Sequence, residues 1–149
     1  MSDGDAKARR IAEAMLSQEG TGPHWGIEIE EAGEGWCRLS MVIQPTMLNG
    51  HRIAHGGMIF ALADTAFAYA CNGRDVATVA QGASITFLSP GQPGERLSAV
   101  AREVALQGRS GVYAVVVTGE DGRTVAVFQG TSRAFGGSVL GAAERNDTG

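Results

Sequence analysis

The sequence predicts an α+β fold: an antiparallel sheet of about six strands curled around one buried helix, with a further helix ahead of it. Three observations predict it. Between Met58 and Cys71 there is no Gly or Pro, and Asp64 is the one charge. A helix apolar on nearly every side is a buried helix, and this one is shorter than the roughly 20 apolar residues needed to cross a bilayer. Around it lie strand-like apolar runs separated by Gly, Pro and Asp turn chemistry. Ahead of them, Asp5 to Glu19 carries Ile11, Ala14, Met15 and Leu16 close together at helical spacing, an amphipathic surface helix.

Taken in order, Asp3 or Asp5 is positioned to cap the first helix, and Gly20-Thr21-Gly22-Pro23 ends it. His24–Glu31 and Trp36–Gln44 read as strands. In the second, Trp36, Arg38, Ser40 and Val42 alternate with Cys37, Leu39, Met41 and Ile43, as in a sheet covered on one face. Pro45 to Ala54 is a loop leading to the central helix, and Gly73 is placed to close that helix as a left-handed C′ residue. Four more strands follow: Ala77–Leu88, Arg96–Leu106, Val112–Gly119 and Thr124–Phe135. Gly82 and Gly130, inside strands, predict bulges or close backbone approach. The expected organisation is residues 1–23 for the first helix and linker, 24–137 for the main domain, and 138–149 for a flexible tail. The outer face and edges of such a sheet need cover, and pairing of two copies edge to edge supplies some of it.

Composition narrows the function. The chain has 149 residues and a formal net charge of −4, which argues against a general nucleic-acid partner. Cys37 and Cys71 have no metal-type spacing and read as free buried thiols. The polar start, Met1 to Arg10, lacks the apolar core of a signal peptide, so the expected location is the cytoplasm, without membrane association.

The chemistry gathers at the central helix. Asp64 shares a face with Phe60, Phe67, Ala68 and Cys71, so a lone acid is expected in an apolar pocket. Phe60, Phe67, Met47 and Tyr69 are core residues first, some of them also pocket lining. At the helix start, Gly56 and Gly57 leave backbone N–H groups bare where the first turn has no internal acceptors. A base in a dry pocket and amides facing developing negative charge are two parts needed to hydrolyse an acyl group. Helical pitch separates Asp64 from Gly57 by about 10 Å, so a second subunit is a natural source of the partner half. His51 and His55 at i, i+4 could pair with Asp64 on a metal, but the Gly-Gly that follows argues against a regular helix there.

Asn49, His55-Gly56-Gly57 and Asp64 nine positions after the histidine resemble the signature of hotdog-fold acyl-CoA thioesterases. The wider run Leu48–Asn72, with Ser84–Gly91 and Ser110–Val117, is similar to the phenylacetic acid degradation subgroup, and the likeness extends from Trp25 to Gly137. The resemblance implies a hotdog fold with active sites at a dimer interface, in dimers that often pair into tetramers. It implies Asp64 as catalytic base or nucleophile, the Gly56 amide as polariser of the thioester carbonyl, and Asn49 and His55 as the polar pair beside it. Some relatives carry a hydroxyl where Ala80 stands here, which leaves Thr78 or Gln81 to compensate. Gly57, Phe60 and Phe67 are further expected substrate contacts, and Arg109 an expected phosphate contact of coenzyme A. The expected activity is hydrolysis of (hydroxy)phenylacetyl-CoA or a similar aryl or medium-chain acyl-CoA, with no metal or redox cofactor. A non-catalytic acyl-CoA sensor and a hotdog hydratase or dehydratase are the alternatives.

Overall fold

The computed structural model describes residues 2–147. Its elements in order are α1 (Asp3–Gln18), α2 (Gly22–Trp25), β1 (Glu28–Gly33), β2 (Trp36–Val42), a 3₁₀ turn at Pro45–Met47, α3 (Gly56–Asn72), β3 (Thr78–Phe87), β4 (Arg96–Gln107), β5 (Ser110–Thr118), β6 (Thr124–Ala134) and α4 (Val139–Asp147). The six strands form one antiparallel sheet in the order β1-β2-β4-β5-β6-β3. α3 lies on the concave face in contact with every strand.

Most elements fall within a residue or two of their sequence-predicted bounds. The differences have local causes. Ser2 caps α1, accepting from Asp5 N at 3.0 Å, so neither Asp3 nor Asp5 does. The Asp5 carboxylate instead accepts from Glu34 N at 3.1 Å and ties the helix to the β1–β2 turn. The strand expected from His24 begins only at Glu28. Pro23 opens the short helix α2, where its fixed φ suits the first turn, and Gly26, at φ 73°, then breaks the chain direction.

Gly73 is not a left-handed C′ residue; its φ is −64°. Asn72 does the anchoring, donating to Thr78 O at 3.0 Å and accepting from Thr78 N at 2.9 Å. The left-handed position falls on Asp75 (φ 63°). Its carboxylate accepts from Leu140 N at 2.9 Å and Ser138 Oγ at 2.7 Å, starting α4. The stretch expected to be a flexible tail is therefore helical as far as Asp147, and its last two residues lie outside the described ones. A bulge sits beside Gly82. Gly130 keeps regular register, and its missing side chain serves close approach, because a Cβ there would stand 2.9 Å from the Phe67 ring.

The core runs between sheet and helix: Leu39, Met41, Leu62, Ala66, Leu97 and Val115 are fully buried. A row of rings crosses it, with Phe60 edge-on to Phe128, Phe128 tilted against Phe67, and Phe67 edge-on to Tyr113, at centroid distances of 5.4, 5.9 and 5.4 Å. α1 buries Ala8, Ile11 and Ala12 and packs along β1. Tyr69 OH donates to Glu19 at 2.7 Å, pinning the end of α1 to α3.

Candidate active site

The start of α3 is built by the loop before it. Asn49 Oδ1 accepts from His51 N at 2.9 Å and Ile53 N at 3.4 Å, folding residues 49–53 into a tight turn. His55 N donates to Met47 O at 2.8 Å, which fixes the approach to the helix. His55 is the N-cap, and its Nδ1 accepts from Gly57 N at 2.9 Å. Neutral His55 therefore carries its proton on Nε2, and the exposed ring offers an N–H donor. The Gly57 amide is committed to His55, so the substrate contact expected of it is not free. The Gly56 amide has no acceptor among the described residues. The Asn49 Nδ2 group likewise has no partner among them.

Asn49 and Gly56 line one open cleft of about 430 Å³. Its far wall is Phe87, Leu88 and Pro90 at the end of β3. The Phe87 ring lies over the helix start, so close that a Cβ on Gly56 would be 3.1 Å from its Cζ. Phe87 and Leu88 are nonetheless 50% and 60% exposed. Sequence reasoning missed both as site residues. Strand alternation puts Phe87 on the inner face with Ile85, but nothing local says that the core stops short of it.

Asp64 lies on α3 eight residues beyond Gly56, about 12 Å along the axis. It is half-buried, has no hydrogen bond or ion pair among the described residues, and does not line that cleft. Burial without a compensating partner raises its pKa above the ordinary carboxylate range. One chain thus holds the half-buried carboxylate and the unpaired amide apart.

The other expected contacts divide. Phe60 is half-buried on the Asp64 face. Phe67 is 1% exposed and belongs to the core, not to a pocket wall, because its ring is clasped by Gly130, Tyr113 and Phe128. Thr78 and Arg109 share a second pocket at the opposite end of α3, away from Gly56. Thr78 Oγ1 donates to Val76 O at 2.7 Å. Gln81 stands on the β3 bulge, exposed, and lines neither pocket; Ala80 beside it is also exposed. Burial pushes the free thiols of Cys37 and Cys71 up to about 12. Among the described residues no three His, Cys, Asp or Glu side chains converge as metal ligands do.

Residues 51–126, which include α3, Asp64 and the strand carrying Phe87, match the model of the thioesterase superfamily. The chain belongs to the thioesterase superfamily. This thioesterase is 43% identical over 138 residues to acyl-coenzyme A thioesterase PaaI of Escherichia coli, covering 92% of this chain and 98% of that protein. The structure of E. coli PaaI, from the phenylacetic acid degradation operon, superposes with a TM-score of 0.88 at 40% identity, over 90% of this chain and 97% of the other. A thioesterase protein of Streptococcus pneumoniae, solved with coenzyme A, matches at a TM-score of 0.73 and 25% identity, over 75% of this chain and 90% of that one. The hotdog fold and the thioesterase family expected from the sequence are borne out. In the thioesterase described here, the region matched by the superfamily contains both the Asp64 carboxylate and the Gly56 amide.

Proposed function

We propose that this acyl-CoA thioesterase hydrolyses arylacetyl-CoA thioesters, phenylacetyl-CoA and its hydroxylated forms, or acyl groups of similar size, at a site shared by two copies of the chain. The single observation that carries this reading is the pairing of unmet needs. Gly56 N–H and Asn49 Nδ2 are donors without acceptors, and Asp64 is a carboxylate without a donor. They lie about 12 Å apart in one chain, too far to act on one atom. The two copies pair through their β3 edges, which brings Asp64 of one opposite the helix start of the other.

In that arrangement the thioester carbonyl oxygen accepts from Gly56 N–H, at the positive end of the α3 dipole, with Asn49 Nδ2 alongside. His55 holds the first turn through Gly57 and turns its Nε2–H outward. Asp64, ionised, takes a proton from water as the water oxygen attacks the carbonyl carbon. The tetrahedral oxyanion collapses, the C–S bond breaks, and the thiolate takes up a proton to leave as coenzyme A. In the alternative route the carboxylate itself attacks, and water opens the resulting anhydride. Single turnover in ¹⁸O-water separates the two, since only the anhydride route can leave label in the Asp64 carboxylate.

Neither route calls on a metal or a redox cofactor. The relationship to E. coli PaaI supports acyl-CoA as the substrate class and supports the aryl preference. No described helix is long and apolar enough to span a membrane, and we place the enzyme in the cytoplasm. A dimer of dimers through the outer sheet face fits the exposed cross-strand pair Val116 and Val127.

The deciding experiment is subunit complementation. Asp64→Ala and Gly56→Pro are each assayed for thiol release, then unfolded together in equal amounts and refolded. Each alone is expected to be nearly inactive. The mixture is expected to recover about a quarter of wild-type activity, because half the dimers are mixed and each keeps one intact site. No recovery in a mixture shown to contain mixed dimers would remove the shared site.

A further inference from the structure

β3 ends on a ring that lies outside the core. Ile85, on the inner face, packs against the core, and Phe87, two residues on, stands past its end at 50% exposure. The ring is aimed at one place. A Cβ placed on Gly56 would meet Phe87 alone, with Cζ at 3.1 Å and both Cε atoms at 3.5 Å. Two equal Cε distances mean that the ring meets the helix start tip-on, its C–H edge toward Gly56. That edge carries the partial positive charge of the ring. Gly56 and Phe87 line the same cleft, and the Gly56 N–H has no acceptor among the described residues.

The ring is exposed, yet the backbone behind it is fixed. Leu88 N and Ser89 N donate to Val125 O at 2.8 and 3.2 Å, and Ser89 Oγ donates to Thr124 O at 2.8 Å. Arg123 Nη2 donates to Pro90 O at 2.6 Å, and the same guanidinium pairs with Glu95 at 2.6 Å. Ala54 N then donates to Gly91 O at 2.9 Å, which ties this segment to the residue before the His55 cap. The strand end and the helix start are therefore held against each other as one frame. A half-exposed ring on such a frame is a wall set in place before any ligand arrives.

We propose that Phe87 is the water shield of the Gly56 amide. The inference rests on the thioesterase reading above and deepens it, by naming what makes that N–H effective. An N–H in an open cleft is met by water, and in so high a dielectric it supports a developing anion weakly. With the thioester seated, the Phe87 tip and the acyl carbonyl take the place of that water. The carbonyl oxygen then faces the Gly56 N–H and the positive edge of the ring, and both attractions grow as negative charge develops on it. Phe87 makes and breaks no bond. It acts through the amide, as a positioning residue, and its effect belongs to the transition state and therefore to kcat more than to KM.

The test measures thiol release from phenylacetyl-CoA by wild type, Phe87→Ala and Phe87→Leu, each checked by sedimentation at the assay concentration. Phe87→Ala is expected to lower kcat about tenfold, less than the loss of an oxyanion donor itself, with KM within about twofold. Phe87→Leu restores apolar cover and is expected to recover most of that loss. A second readout is the infrared stretch of ¹³C-carbonyl phenylacetyl-CoA bound to Asp64→Asn, which adding Phe87→Ala is expected to move toward its value in water. An unchanged kcat in Phe87→Ala, a loss confined to KM, no recovery in Phe87→Leu, an unmoved carbonyl stretch, or a loss that tracks dissociation into monomers each overturns the proposal and leaves the thioesterase reading standing. No thiol release from any ester by wild type sinks both.

Discussion

The two edges of the sheet are treated in opposite ways. At the β1 edge, α1 lies along the strand, and Arg9 reaches the bulge at Glu30, donating to Glu30 O at 2.9 Å and Ile29 O at 3.2 Å. Carbonyls that a bulge leaves unpaired are thereby answered within the chain. At the other edge β3 has no such cover. Nearly all of its residues are exposed or half-exposed, including Val79 and Phe87, at 53% and 50%. Bare, partly apolar edges are the places where another strand adds. The sealed edge is a finished surface, and the open one is where the proposed second copy docks. Asp64, unpartnered on the α3 face beside β3, belongs with the open edge.

The largest effect that sharpens this contrast is expected from Asp64→Asn. Turnover should fall by at least about a hundredfold while the dimer persists, measured by thiol release and sedimentation. Stability should move the other way. Burial raises the Asp64 pKa, so between its unfolded and folded values the native state holds the extra proton, and stability falls as pH rises through that window. Above it the charged form carries the full penalty, so Asp64→Asn should melt higher than wild type at pH 7. For the same reason, wild-type kcat/KM should climb with pH through an inflection above the ordinary carboxylate value of about 4.

Gly56→Pro comes next. His55, at φ −62° and ψ 133°, already has the conformation that a following proline requires, and proline suits the first helical position. The substitution removes one N–H at little backbone cost, and its Cβ, like that of alanine, stands 3.1 Å from the half-exposed Phe87 ring, which must shift slightly. Turnover should drop by about 10²–10³ with an unchanged circular dichroism spectrum. Gly56→Ala keeps the N–H but presses a methyl toward Phe87, and should lose less.

Placing lysine at Ser84 and Thr86 on the open edge should yield monomers and lower activity about tenfold or more, since both halves of the site are then parted. Full activity in a verified monomer would break the comparison. The smallest effect is at the sealed edge. Arg9→Ala should cost about 1 kcal/mol in denaturant unfolding and leave kcat/KM alone.

Much of this was legible in the sequence because it was local. The apolar run Met58–Cys71 could be little other than a buried helix, and turn residues marked the strands. The polar cluster from Asn49 to Gly57 reads as a helix start because its side-chain hydrogen bonds span four residues or fewer. The misses came from partners far along the chain. α4 depends on Asp75, some 65 residues earlier, and on Gln18, whose amide donates to Asp147 at 2.9 Å. Asp5 was read as a cap, but its acceptor capacity goes to the Glu34 amide across the chain.

By itself the sequence determined the helix, the strands, the lone acid and the bare glycine amide, since periodicity and turn chemistry act over a few residues. Tertiary structure alone decided which of these could meet. It buried Phe67 by stacking it against Gly130, left Phe87 over Gly56, and sealed one sheet edge while leaving the other bare. Those outcomes depend on strand register and helix placement, which sum contacts from the whole chain and leave no trace in any one stretch of it.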